Sequence, residues 1–300
     1  MTSYWVSAAD VKKTYALRVI YDTSENRQGR GIWGRNRFDV GGQTPKDCQI
    51  LSGVGTMPRL MGFVAIFLVT LCFSKAVQAG ETVDVALVLV SDVSRSIDDR
   101  EFKMQKDGYL SAFTDPKVMA AVKSGIVGEI AVNYVEFAGE SEVQTVIDWT
   151  IIKDEETAKA FVEKLVAAPR SFYGRTAIGA GIDLAVQNLA HSALTAERRV
   201  IDVCGDGTNN AGRDVSSARD EAVAAGITIN GLTIINDHPM SWTFAHVQPP
   251  GGLDNYYRQN VTGGVGSFVI SVHDFKIFGE AMAKKLISEI ASLDNHRKHL

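Results

Sequence analysis

The run Asp92-Val93-Ser94-Arg95-Ser96 sets one carboxylate and two hydroxyls within five residues. Those are hard oxygen donors, the type that Mg2+, Mn2+ or Ca2+ prefers. Two later segments carry matching chemistry. Gly174-Arg175-Thr176-Ala177-Ile178-Gly179 offers the Thr176 hydroxyl, and Gly205-Asp206-Gly207-Thr208-Asn209-Asn210 offers the Asp206 carboxylate. Each also has an ordinary reading: Ser96 as the N-cap of a following helix, Thr176 as the cap of another, Asp206-Gly207 as a plain turn. Brought together, two Asp carboxylates and three hydroxyls make the donor set of a divalent-cation site. Asn209 and Asn210 are expected to order the third loop rather than to bind metal.

The elements around these loops decide whether they meet. Apolar runs predict strands over residues 83–90, 130–137, 143–150, 200–204, 227–234 and 267–272. The first and fourth are nearly continuous, as expected for parallel strands covered on both faces. Helical patterns fill 98–114, 155–167, 177–189, 215–225 and 274–291. Residues 138–142 are too few for a crossover helix, so the second and third strands should form a hairpin, with the third antiparallel at the sheet edge. The expected fold is α/β, doubly wound, a mostly parallel six-stranded sheet with one antiparallel edge strand and helices on both faces. Such sheets carry ligands at the carboxyl ends of their strands, near the switch in strand order. All three donor loops belong at that end.

D-x-S-x-S, then Thr in a G-x-T turn, then Asp in a D-G turn resembles the metal-ion-dependent adhesion site of von Willebrand factor type A (VWA) domains. The resemblance covers roughly residues 84–291 and extends to secreted, uncharacterised bacterial members of that superfamily. It implies that Ser94, Ser96 and Thr176 coordinate the ion, with Asp92 and Asp206 acting directly or through water. Arg95 departs from the pattern, since many members have Gly there. One divalent cation is expected, Mg2+ first, with Mn2+ or Ca2+ as alternatives. Neutral hydroxyls leave its charge incompletely compensated, so a protein partner presenting an Asp or Glu carboxylate is the expected ligand.

Arg95, Tyr173, Trp242 and Tyr256 are the candidates for touching that partner, because aromatic and arginine side chains make good binding anchors. Trp242 and Tyr256 belong to residues 236–264, a stretch whose aromatics suit equally a small core of its own. His238 and His246 lie eight residues apart in it, with no recognised metal geometry.

Residues 57–79 have Arg59 near the front, an apolar run over 61–73, and small residues before Gly80. That is the layout of a secretory signal, cleaved after Ala79 and leaving a periplasmic or secreted protein with no membrane insertion. Residues 1–56 are then expected to be an over-extended, unstructured N-terminal reading, and 80–300 a single domain. The whole chain has a net charge of −4, and residues 1–79 hold ten basic and five acidic residues, which leaves 80–300 at −9. An acidic domain argues against nucleic acid as a partner. Of three cysteines, Cys204 alone falls in that domain, which must hold without a disulfide.

Enzyme readings fare less well. A metal-dependent hydrolase or phosphatase is the alternative, yet the sequence shows no clear general base. Asp92 lacks the second Asp two residues on that haloacid-dehalogenase-like phosphotransferases need, and no G-x-S-x-G elbow is present. Gly179-Ala180-Gly181 and Gly263-Gly264-Val265-Gly266 match neither a dinucleotide fingerprint nor a P-loop. The expectation is a binding domain, not an enzyme.

Overall fold

The computed structural model describes residues 80–235 and 249–291. Its centre is β1 (Thr82–Asp92), buried along all but its first residue. Around it lies a six-stranded sheet of order β3-β2-β1-β4-β5-β6, with β2 (Ile130–Phe137), β3 (Val143–Ile152), β4 (Thr195–Gly205), β5 (Thr228–Ile234) and β6 (Val269–Val272). Every neighbouring pair is parallel except β2 and β3, whose antiparallel hairpin closes one edge. The chain leaves β1 towards β2 on one side and later returns to β4 on the other. The topological switch therefore falls between β1 and β4, where ligands of open α/β sheets bind.

Helices cover both faces. On one, α1 (Asp99–Phe113), α2 (Pro116–Lys123), α3 (Glu155–Ala167) and α7 (Phe278–Ala291) pack over Leu87, Leu89, Val132 and Tyr134. Edge-to-face contacts of Tyr109 with Tyr134 and Phe278, and of Phe113 with Phe161, organise that layer. On the other, α4 (Ile178–His191), α5 (Val215–Ala224) and α6 (Leu253–Tyr256) meet Val88, Val90, Phe137 and Val203. Among the described residues, no helix is long and apolar enough to cross a membrane.

The differences from expectation have local causes. Helix α2 is absent from the sequence reading; it starts at Pro116 behind an Asp115 N-cap, with only Thr114 and Asp115 between it and the end of α1. Asp-Pro there reads as a stop, although Pro at the first helical position is equally a start. Strand β4 begins at Thr195, five residues early, because its first half alternates exposed and half-buried positions and lacks an apolar run. The last helix starts at Phe278 rather than at residue 274, preceded by a 3-10 turn over Phe275–Ile277. Within the expected connection after β5, α6 runs directly into a π-helical turn, Tyr257–Val261.

Candidate metal centre

Asp92 is the last residue of β1, and Asp206 follows the last residue of β4, so strand pairing alone sets the two carboxylates side by side at the switch. Both are fully buried. The backbone then turns at Ser94, whose N–H donates to Asp92 Oδ1 at 2.7 Å. That bond fixes the turn and brings Ser94 and Ser96 to one side, with their Oγ atoms 3.0 Å apart. Ser96 Oγ donates to Asp206 Oδ1 at 2.8 Å, and Thr176 Oγ1 donates to Ser94 Oγ at 3.2 Å. The five expected donors thus form one continuous set, Thr176 to Ser94 to Ser96 to Asp206, with Asp92 tied to the Ser94 backbone.

The competing cap readings do not hold. Helix α1 is capped by Asp98, which accepts from Glu101 N while the Glu101 carboxylate accepts from Asp98 N, a capping box. Ser96 is left for the cluster. Helix α4 has Ala177 at its N-cap position with no side-chain bond of its own. Instead Asn209 Oδ1 accepts from Gly179 N at 3.2 Å, which caps α4 from the third loop and leaves the Thr176 hydroxyl to the site. Asn210 Oδ1 accepts from Thr176 N at 3.0 Å, and Asn210 N donates to Thr176 O at 2.8 Å. Both asparagines order the loop, as expected from sequence.

Two side chains without a sequence signal complete the framework. Arg170 donates to the carbonyls of Val93, Ser94 and Phe172, and so ties the D-x-S-x-S turn to the approach to Thr176. Tyr257 is buried with its hydroxyl beside Gly205, and burial followed by the Asp92 charge pushes its phenol well above the ordinary range. The phenol is therefore a neutral donor.

Of the rim candidates, Arg95 is exposed, with its N–H donating to Gly174 O at 3.0 Å. Tyr173 is 57% exposed and lies over the Arg170 guanidinium, 4.2 Å from ring centroid to carbon. Tyr256 is half-buried, and its hydroxyl accepts from Asn209 N at 3.1 Å, so it supports the third loop. Trp242, His238 and His246 lie outside the described residues.

The donor set fits a hard divalent cation. Three hydroxyls and two carboxylates lie together at the switch point, all oxygen and no sulfur or imidazole. Among the described residues there is no group of three or more His, Cys, Asp or Glu that could hold a metal ion, so an ion here would draw most of its protein donors from hydroxyls.

Residues 82–294 match the family described as "Protein of unknown function (DUF1194)". The chain belongs to that family. The fold is VWA-like, and two structures of one mussel protein share it. Proximal thread matrix protein 1 of the mussel byssus is 19% identical in one crystal form, with a TM-score of 0.51 over 71% of this chain and 50% of that one. A second structure of it, with a zinc-occupied MIDAS motif, is 18% identical, with a TM-score of 0.52 over 71% and 49%. A von Willebrand factor type A protein from Catenulispora acidiphila is 13% identical, with a TM-score of 0.49 over 69% and 43%. The chain spans about half the length of the mussel protein. No curated protein matches it.

Proposed function

We propose that this VWA domain binds a protein partner through one divalent cation held by Asp92, Ser94, Ser96, Thr176 and Asp206. The observation that carries this reading is the chain of oxygen contacts joining three loops, from Thr176 Oγ1 through Ser94 and Ser96 to Asp206 Oδ1. When bound, the cation offers an outside carboxylate oxygen a coordination position. Three of the five donors are neutral hydroxyls, so the cation's charge is less compensated than a third carboxylate would leave it, and an incoming Asp or Glu is still attracted. Mg2+ suits this best because it keeps water-filled positions and is bound by few carboxylates. Mn2+ and Ca2+ are alternatives, and the mussel protein adds Zn2+ to the ions worth testing. Arg95 and Tyr173, exposed beside the donor loops, are the partner contacts of this reading.

The binding reading is preferred to a hydrolase because the groups surrounding the donors are occupied in holding loops: Asn209 and Asn210 bond backbone, and Arg170 bonds three carbonyls. Secretion belongs to the same proposal, with residues 57–79 as leader and 1–56 as over-extended reading. A mass spectrum of the protein from its source should show a mature chain starting at Gly80; peptides from residues 1–56 would refute the over-extension.

The test of function is capture of a partner from envelope extract with the wild-type domain and with Asp206→Ala, each with Mg2+ and with chelator. A partner retained by wild type in Mg2+, and lost both with chelator and in the variant, is the expected result. Retention unchanged by chelator would contradict cation-bridged binding.

A further inference from the structure

Tyr257 opens the π-helical turn Tyr257–Val261, a backbone irregularity that occurs frequently at functional sites. Its ring lies in a slot that two glycines vacate. A Cβ on Gly231 of β5 would come within 2.8 Å of the ring edge at Cδ1, and a Cβ on Gly205 at the end of β4 within 2.6 Å of the hydroxyl oxygen. That same point beside Gly205 is 3.1 Å from Asp92 Oδ2. The backbone of two adjacent strands is therefore stripped of side chains along one line, and the line ends at the metal donors. Tyr257 is fully buried, and its hydroxyl has no hydrogen-bond partner among the described residues. Tyr256 next to it does have one, in Asn209 N. A phenylalanine would fill the slot equally well without burying a hydroxyl, and a buried hydroxyl left unmatched is costly. The hydroxyl is thus best explained by something that arrives beside Asp92.

We propose that Tyr257 is a positioning residue of the cation site, its hydroxyl donating a hydrogen bond into the coordination shell on the Asp92 side when the cation is held. This rests on the metal reading above. A ligating carboxylate is oriented by the bonds made to its remaining lone pairs, and such outer partners tune affinity strongly. A neutral phenol orients Asp92 without competing for the cation's charge, as a lysine or arginine in its place would.

Calorimetric titration of the whole protein with Mg2+ and with Mn2+ tests this, comparing wild type, Tyr257→Phe and Asp92→Ala, with melting curves taken without cation. Tyr257→Phe should weaken cation binding about tenfold while its cation-free melting temperature stays at or above that of wild type. Unchanged affinity in Tyr257→Phe, with Asp92→Ala abolishing binding, overturns the inference and leaves the metal site standing. Wild type that binds neither ion removes both. Gly205→Ala is a second probe, because its Cβ crowds the hydroxyl at 2.6 Å and Asp92 Oδ2 at 3.1 Å. It should weaken binding too, and adding Tyr257→Phe to it should restore stability but not affinity; restored affinity would again overturn the inference.

Discussion

Arg170 has a side chain only 4% exposed, and its Nη2 donates to the Val93 and Ser94 carbonyls at 2.8 and 2.7 Å, with Nε donating to Phe172 O at 3.0 Å. Its fork spans two loops that strand pairing brings near but does not lock. Replacing it with Ala leaves buried carbonyls without their charged donor, a cost of about 2–3 kcal/mol. It should also loosen Ser94 and weaken cation binding roughly tenfold. Arg170→Lys should recover little, because a point charge cannot reach three carbonyls at once. Denaturant melts and cation titration of both variants check this; wild-type affinity in Arg170→Ala would show that the turn holds itself. The donors could be singled out in sequence because three oxygen-bearing loops follow readable elements at one end of the expected sheet, although each alone is an ordinary cap or turn. Arg170 was not, since an arginine between Pro169 and Ser171 reads as an ordinary surface residue. Tyr257 failed for another reason: beside Tyr256 nothing in residue type tells which ring points inward, and a π turn decides it.

The seating of α7 on the sheet depends on a buried charge cluster. Lys285 Nζ lies 2.7 Å from Asp202 Oδ1 on β4 and 2.5 Å from Glu289 Oε1 on its own helix, and Asn230 Nδ2 of β5 donates to that same oxygen at 2.9 Å. Two acids share one cation. Burial pushes the Asp202 carboxyl up to about 7 against the pull of Lys285, and Tyr109 and Cys204 face it from the same layer. The folded protein therefore holds a proton on Asp202 that the unfolded chain, near the ordinary 3.8, releases. This contribution is complete below about pH 4 and is lost as pH rises towards 7, so stability falls across that window. Asp202→Asn should remove the slope: its melting temperature relative to wild type should rise by several degrees between pH 5 and pH 8. A constant difference across that range would mean that Asp202 is ionised throughout. At this scale the sheet, its hairpin edge and most helices were readable from apolar periodicity. What escaped were the pieces without it, α2 and the polar first half of β4, and the buried cluster, because Asp202 and Lys285 sit far apart in the chain with no common motif.

Over the whole molecule, strand order does what no single motif can. With β1 and β4 adjacent and parallel, Asp92 and Asp206, more than a hundred residues apart in sequence, arrive at one crevice, and α4 delivers Thr176 to the same place. The net charge of −9 over residues 80–300 makes a surface that disfavours anionic polymers, while the cation would supply a local positive point for a single carboxylate. The most direct measurement is thermal melting of the wild-type protein stripped with chelator and then titrated with Mg2+, Mn2+ and Ca2+, beside Asp92→Ala and Ser94→Ala. At a free concentration of about 100 times Kd, an ion bound only by the folded state should add about 2.7 kcal/mol. That corresponds to roughly 5–10 °C in melting temperature for a domain of this size. Wild type should show this rise for at least one ion and the two variants should not. Identical melting of the wild type in chelator and in every ion would contradict the account.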